Sequence, residues 1–216
     1  MRTLLMAAAG VLLLAPAAAQ AEAGDLLVRL RGIMVAPNEK TGPVQPTFPT
    51  GKTSVDNSFA PELDFTYMFT NNIGAELILG TTKHDINGEA ALAPVGRIAS
   101  TWVLPPTLTL QYHFMPTAHV RPYVGAGVNY TIFYSEKASS ALNTAVGRTN
   151  VRLSDSFGYA LQAGVDIDLT QRVFANFDVK YIDMDTKARL TTGTLVNRER
   201  VHIDPFVFGI GLGMRF

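Results

Sequence analysis

The residues of this chain that could do chemistry do not form a catalytic or metal-binding pattern. The four histidines lack metal-ligand spacing: His84, His113, His119 and His202. Asp183-Met184-Asp185 resembles the start of a calcium loop, but the glycine and the distal glutamate are missing. Gly125-Ala126-Gly127 is not followed by a helix, so it is not a dinucleotide fingerprint. We therefore expect no catalytic residue, no metal ion and no cofactor, and we expect that the protein is not an enzyme.

Composition excludes two further classes. The chain has 18 Lys and Arg against 18 Asp and Glu, whereas nucleic-acid binders usually carry a basic excess. Cysteine is absent, which removes disulfides and thiolate metal sites. The longest apolar run, 4–14, follows Arg2 and precedes Ala19-Gln20-Ala21, which is typical of a secretory signal peptide. Pro16 and the shortness of the run count against a membrane anchor. We predict a signal peptide over 1–21 and one domain over 22–216.

From residue 22 onward, apolar and polar residues alternate with a period of two, as in strands that have two different faces. In one segment Leu108, Leu110 and Tyr112 alternate with Thr109 and Gln111. Eight segments show this pattern: 26–35, 59–69, 73–84, 108–114, 124–132, 159–167, 173–181 and 206–216.

The connections between these segments alternate in length. Short ones cover 70–72, 115–119 and 169–171, and long ones cover 37–57, 85–100, 135–154 and 186–200. Periplasmic turns and extracellular loops alternate in this way in outer-membrane barrels. The fold class is therefore predicted as all-β, an eight-stranded antiparallel up-and-down transmembrane β-barrel. Pro, Gly and Thr predict an irregular first long loop, and 138–146 predicts a short helix.

The orientation of the two faces separates a membrane barrel from a water-soluble one, which would turn its apolar face inward. Eight strands leave an interior just wide enough for side chains, and the polar set here, rich in glycine, suits that space. The apolar set ends in aromatics near the short turns, such as Phe69, Phe114 and Phe216, as in the girdle of a membrane barrel. Outer-membrane lipid is thus one expected partner. The alternating C-terminal strand that ends at Phe216 indicates the outer-membrane assembly machinery as another.

Inward residues, sorted by height, predict two layers. The periplasmic half collects charged and amide side chains: Arg29, Asp64, Glu76, Gln111, His113, Arg121, Asp166, Asn176 and Arg215. Buried charges must pair, so we expect a polar plug rather than an aqueous pore. Above it, Ile33, Val35, Ile78 and Phe133 predict an apolar chamber for small hydrophobic molecules. Such a molecule would leave sideways, where Pro105-Pro106 or Pro205 weakens the strand ladder.

Seven motifs keep their order and spacing along the mature chain: NIGAEL at 72–77, LPPTL at 104–108, RPYVGAGVNY at 121–130, DSFG at 155–158, GVD at 164–166, YIDMD at 181–185 and IDPFVF at 203–208. On these motifs the chain resembles the OmpW family of outer-membrane proteins, which includes the alkane-importing AlkL proteins. The resemblance implies an eight-stranded barrel with a hydrophobic interior channel and uptake of small apolar compounds by lateral diffusion. It also implies that members serve as receptors for phage or bacteriocins.

Lys180 departs from the family pattern. An inward cation stands where the resemblance implies a bulky apolar residue bordering the channel. Its stem can line the chamber while its ammonium group seeks a carboxylate, for which we expect Asp178 or Asp183.

Two functions follow. The first is a channel for passive uptake of hydrophobic molecules. The alternative is a non-transporting structural or receptor barrel with a solid interior, whose loops bind partners. The sequence favours the channel through Ile33, Ile78 and Phe133.

Overall fold

A computed structural model describes residues 22–216. The signal peptide predicted over 1–21 lies outside the described residues. The described part is almost entirely β-structure, with a short 3₁₀ turn at Ala93–Val95 and one short helix, α1, at Ser140–Val146. No helix within 22–216 is long and apolar enough to cross a membrane. The strands are β1 Leu26–Ala36, β2 Lys40–Thr41, β3 Gly51–Val55, β4 Ser58–Met68, β5 Ile73–Gly80, β6 Thr82–Ala90, β7 Arg97–Leu104, β8 Thr107–His113, β9 Val120–Ala138, β10 Thr149–Leu153, β11 Ser156–Asp168, β12 Val173–Ile182, β13 Asp185–Thr192, β14 Leu195–His202 and β15 Phe206–Arg215.

Eight of these strands close into a ring. Its order is β1-β4-β5-β8-β9-β11-β12-β15, and every neighbouring pair is antiparallel. Closure is made by β1 and β15, which pair from Leu27↔Arg215 to Ala36↔Phe206. The predicted eight-stranded antiparallel up-and-down barrel is confirmed.

The outward face of the ring is an apolar band between two levels of aromatic rings. Leu30 and Ile210 are among its exposed aliphatic residues. Aromatics near the periplasmic turns include Tyr67 and Phe69, whose ring centroids are 5.5 Å apart, and the neighbouring pair Tyr112 and Phe114 at 5.1 Å. The upper level holds exposed aromatics from several strands: Phe59, Trp102, Tyr130, Tyr134, Phe157 and Tyr159. Amphipathic rings at two levels are typical of the two membrane interfaces.

Beyond the upper aromatic level the strands continue, and here the sequence prediction was wrong. The four long connections, expected as loops, contain β2, β3 and β10, the upper parts of β6, β7 and β9, and most of β13 and β14. The first of them, predicted to be irregular, holds β3, paired with β6 from Gly51↔Ala90 to Val55↔Ile86. The segment predicted as a single strand over 73–84 is divided between β5 and β6 at Thr81. The helix predicted within 138–146 is present as α1.

A reversal of polarity explains why the extension was missed. On β13 and β14 the exposed residues are Lys187, Arg189, Arg198 and Arg200, while Ala188 and Val201 are buried. Above the membrane the outer face meets water and the inner face packs on itself, so apolar residues turn inward, as in a soluble sheet. The alternation persists, but its sign is opposite to that of the membrane band.

Two glycines allow strands of the ring to approach each other closely. A Cβ atom placed on Gly211 would collide with the carbonyl oxygen of Leu30 in β1, and one on Gly127 would collide with that of Leu108 in β8. Backbone atoms cannot move aside as a flexible side chain can, so the ring closes here only with glycine.

We therefore expect Gly211→Ala to remove most of the folded barrel, because its new methyl group pushes β15 away from β1. Folded and unfolded fractions are measured by heat-modifiable migration in electrophoresis after refolding into detergent. The matched control is Gly32→Ala on β1, where the nearest atom to a new Cβ, the Ile210 carbonyl oxygen, lies at 3.9 Å. Equal folding of the two variants would contradict the close-approach argument.

Candidate functional site: a charged plug below an apolar chamber

The lower half of the lumen is filled by charged side chains from five strands. β1 contributes Arg29 and Arg31, whose two-residue spacing directs both inward, and β12 contributes Lys180. Carboxylates come from β4, β5, β11 and β12: Glu62, Asp64, Glu76, Asp166 and Asp178. These eight side chains are at most 7 % exposed and form one continuous network, which we call the plug.

Arg29 forms the lower centre of the plug. Its guanidinium group meets Asp166 Oδ2 at 2.8 Å and Glu76 Oε1 at 2.9 Å. The rings of Tyr123 and Phe174 lie 5.3 and 5.5 Å from the guanidinium carbon. A planar cation can use its edge for carboxylates and its faces for aromatic rings, so Arg29 ties three sides of the lumen together.

Arg31 lies one layer higher and contacts more carboxylates. Its Nε atom is 2.7 Å from Asp64 Oδ2 and 3.1 Å from Glu62 Oε1, and its Nη1 atom is 3.3 Å from Asp178 Oδ1. Nη1 also donates to Asn176 Oδ1 at 3.2 Å. Arg31 thus joins carboxylates on opposite walls of the barrel.

Lys180 covers the plug. Its ammonium group lies 2.5 Å from Glu62 Oε1 and 3.0 Å from Asp178 Oδ1. Of its two expected partners, Asp178 was correct and Asp183 was wrong, because Asp183 follows the end of β12 and lies outside the lumen. Glu62, on the far wall, was not foreseen.

Three cations in the plug face five carboxylates, and neutral donors satisfy part of the excess. The amides of Gln111 and Gln162 both donate to Glu76 Oε2, at 2.6 and 2.8 Å. The Tyr123 hydroxyl donates to Asp178 Oδ2 at 2.9 Å, and Asn176 Nδ2 donates to Asp166 Oδ1 at 2.8 Å. A buried ion is tolerated when its remaining lone pairs are bonded in this way.

The periplasmic end below the plug is also filled. Arg121 pairs with Asp168, and its guanidinium lies on the same Phe174 ring as that of Arg29, at 5.5 Å. Phe174 packs in a small apolar cluster with Leu27 and Met68. The plug therefore has a closed base rather than a water-filled one.

Directly above the plug lies an apolar cavity, which we call the lower chamber. About 970 Å³ of space between atoms lies within it, part of which is open to solvent. Lys180 and Glu62 lie at its floor, and its wall is aliphatic and aromatic: Ile33, Val35, Ile78, Val103, Phe133, Ile182, Met184, Val201, Ile203 and Val207. A concave site with such an apolar lining suits a small hydrophobic molecule.

A second cavity, the outer chamber, lies further out and contains about 720 Å³ of space between atoms, part of which is open to solvent. Strands of the extracellular extension and helix α1 supply its wall, which includes Val44, Leu92, Leu142 and Val151. The two chambers share five lining residues, one from each of five strands, which we call the collar: Thr53, Ile86, Leu153, Ala188 and Glu199.

Every site residue predicted from sequence lies inside the barrel. Of the nine polar residues expected in the periplasmic half, six belong to one network: Arg29, Asp64, Glu76, Gln111, Asp166 and Asn176. Arg121 lies below it with Asp168, His113 lies 3.0 Å from Gln111 Oε1, and Arg215 lies 3.5 Å from Asp25. The chamber residues Ile33, Val35, Ile78 and Phe133 line the lower chamber with Lys180.

Several residues of the plug and of the chamber wall were not predicted as site residues. Arg31, Glu62 and Gln162 lay on the inward face of predicted strands, so period two alone was a sufficient signal for them. Asp178 was expected only as a partner of Lys180. The upper wall, Val201, Ile203 and Met184, lay in segments taken for loops.

The model of the OmpW family matches residues 22–216. Outer membrane protein W of Escherichia coli is 38 % identical over 219 residues, covering 100 % of both chains. The dibenzothiophene metabolism operon protein PahQ of Pseudomonas aeruginosa is 30 % identical, covering 78 % of this chain and 76 % of that protein. The crystal structure of the outer membrane protein OprG from Pseudomonas aeruginosa superposes with a TM-score of 0.85 at 32 % identity, covering 91 % of this chain and 98 % of that one.

We expect Arg31→Met to lower the free energy of unfolding by about 3–5 kcal/mol, because it leaves Glu62, Asp64 and Asp178 buried without their shared cation. Urea unfolding in detergent micelles measures the loss. The control is Arg97→Met, which removes an exposed pair with Asp85 at 3.0 Å and should cost about 1 kcal/mol or less. A loss no larger than in the control would show that Arg31 does not hold the plug together.

Proposed function

The chain belongs to the OmpW family of outer-membrane proteins, and from this premise we propose that it is a passive channel for uptake of small hydrophobic molecules. The protein is an outer-membrane β-barrel, and the family consists of such barrels rather than of enzymes. The observation that carries the proposal is the apolar lining that runs from the outer chamber to the plug. The relative PahQ is named for an operon of dibenzothiophene metabolism, and an apolar aromatic compound of that kind suits such a lining.

The plug supports a route that does not continue straight down. A molecule passing through it would have to separate Arg29 and Arg31 from their carboxylates, and breaking a buried ion pair costs about 3–5 kcal/mol. An apolar molecule offers no group to replace the lost partners. In this proposal the molecule therefore enters from outside, rests above Lys180 and leaves through the wall.

The weakest point of the wall lies where the junction of β5 and β6 faces the junction of β7 and β8. The β5–β8 ladder ends at Ile78↔Thr107, and the β6–β7 ladder begins at Thr82↔Val103. Between them Pro105 and Pro106 lack N–H donors, and the described structure gives 79–81 no ladder pairing with 104–106. Pro105 and Gly80 line the lower chamber here. We propose lateral exit at this gap, which we call the wall gap.

Pro205, the other expected place, is a less favourable exit. It lies between β14 and β15 and lines the lower chamber, but its carbonyl oxygen accepts from Ile182 N at 3.2 Å. The neighbouring ladder of β12 and β15 begins directly below, at Tyr181↔Phe206.

The alternative, a receptor barrel with a solid interior, agrees less well with two apolar chambers above the plug. Its expected binding loops are in large part strands. We further propose that β15 is the segment recognised by the assembly machinery, because exposed apolar residues alternate along it up to Phe216.

We predict that Ile78→Arg reduces uptake by about tenfold or more, because it places a long, charged side chain in the apolar lower chamber. Initial uptake of radiolabelled naphthalene is measured in cells that produce the full chain, after subtraction of uptake by cells lacking it. The control, Thr144→Arg, adds the same charge to an exposed position of α1. Unchanged uptake by a folded Ile78→Arg barrel would remove the main support for the channel.

Lateral exit is tested with an engineered disulfide across the wall gap, which a reductant can open again. The register on both sides of the gap places Gly80 opposite Pro105, and opposed residues of antiparallel strands lie about 4.5–5.5 Å apart, within disulfide reach. We predict that oxidised Gly80→Cys/Pro105→Cys loses most naphthalene uptake and that a reductant restores it. The native chain has no cysteine, so no other disulfide interferes.

The control for this bridge is Leu77→Cys/Leu108→Cys, an outward-facing position just below the gap, where the two strands are already paired. It should leave uptake unchanged in either redox state. Equal uptake by the oxidised and reduced gap variant would place the exit elsewhere.

A further inference from the structure

The collar contains one ionisable residue, Glu199. It is 5 % exposed, lies on the inward face of β14, and lines both chambers. Among the described residues that line the outer chamber, it is the only ionisable one. A molecule that moves from the outer to the lower chamber therefore passes this carboxyl group.

Glu199 has a neutral hydroxyl as its partner, whereas the carboxylates of the plug pair with cations. Its Oε1 atom accepts a hydrogen bond from the Thr53 hydroxyl at 3.0 Å, and no ion pair within residues 22–216 includes it. The charged residues that neighbour the collar on its five strands point outward: Lys52, Asp85, Arg152, Lys187, Arg189, Arg198 and Arg200. The negative charge of an ionised Glu199 thus faces the passage without a cation beside it.

Other ionisable groups reach the lower chamber only below the collar. Lys180 and Glu62 pair with each other at its floor. His84, on β6, bonds through its ring nitrogens to the Asp56 carbonyl oxygen and the Thr82 hydroxyl, both at 2.9 Å. Burial lowers the pKa of His84, so this side chain stays neutral near neutral pH.

We infer that Glu199 and Thr53 make the collar charge-selective, so that it passes neutral apolar molecules and rejects organic carboxylate anions. This inference rests on the proposed channel function and adds a substrate class to it. An anion at the collar meets a like charge in a poorly solvated passage, where repulsion is much stronger than in water. A neutral molecule of the same shape meets only the aliphatic residues and a bonded carboxyl group.

The selectivity should depend on pH. Burial raises the pKa of Glu199 to about 7, against the opposing effect of the hydrogen bonds from Thr53. Above that pH the side chain is ionised and rejects anions, whereas below it the side chain is neutral and the rejection fades.

The test compares naphthalene with 1-naphthoate, which has the same ring system and remains ionised because carboxylic acids ordinarily titrate near pH 4. Initial uptake of each is measured in cells producing the full chain, after subtraction of uptake by cells lacking it. For the native chain, we expect the naphthoate-to-naphthalene ratio to rise about tenfold from about pH 8 to about pH 6. For Glu199→Gln, we expect a high ratio at both pH values.

Two further variants make the test decisive. Glu89→Gln makes the same substitution at an exposed position of β6 and should behave like the native chain. Thr53→Val retains Glu199 but removes its hydrogen-bond donor, so the pH at which the ratio changes should move upward. This shift tests the inference even if Glu199→Gln fails to fold, which heat-modifiable migration would reveal.

The outcomes separate the inference from the proposed function. If naphthalene uptake is normal and the naphthoate-to-naphthalene ratio is equally low in the native and Glu199→Gln barrels, the collar is not charge-selective, although the proposed channel stands. If Glu199→Gln does not fold, an unmoved pH profile in Thr53→Val overturns the collar in the same way. Naphthalene uptake no higher than in cells lacking the protein overturns the channel and, with it, the collar.

Discussion

The antiparallel ladder between β1 and β15 joins the two ends of the described chain from Leu27↔Arg215 to Ala36↔Phe206. Lipid offers no partner for an open strand edge, so this closure is a condition for spanning the membrane. A ring of only eight strands has room inside for side chains and little else. Closure also brings Arg29 and Arg31 of β1 against carboxylates on the surrounding walls. The charged plug is thus a consequence of how a narrow ring fills its own interior.

Strand positions in the membrane could be predicted from sequence because a single physical contrast, lipid outside and protein inside, repeats along every strand. Leu108 and Leu110 face lipid while Thr109 and Gln111 face the lumen. Above the membrane the outside becomes water, and the same alternation places Arg198 and Arg200 outward and Val201 inward. Because the membrane strands expose apolar residues, segments that expose charged residues were predicted to be loops. The alternation is present in these strands too, but above the membrane surface the apolar residues face inward and the polar residues face outward.

Pairings across the lumen could not be predicted in the same way. Lys180 has Asp178 two residues away on its own strand, and that proximity is visible in the sequence. Glu62 lies on β4, 118 positions away along the chain, and its contact depends on how far neighbouring strands are staggered around the ring. Arg31 was visible as an inward residue, but its bonds to three carboxylates follow from the same stagger. Periodicity assigns a residue to a face, whereas closure decides its neighbours.

The relative strengths of floor and wall argue for the direction in which a bound molecule leaves. Lys180 and Glu62 form part of a network of buried ion pairs, and breaking such a pair costs about 3–5 kcal/mol. At the wall gap between Gly80 and Pro105, the ladder is already interrupted, and a typical backbone hydrogen bond contributes only about 0.5–1.5 kcal/mol. Lipid on the far side also accepts an apolar molecule, whereas the plug does not. In the proposed channel, a firm floor and an interrupted wall thus favour release of the molecule into the membrane rather than into the periplasm.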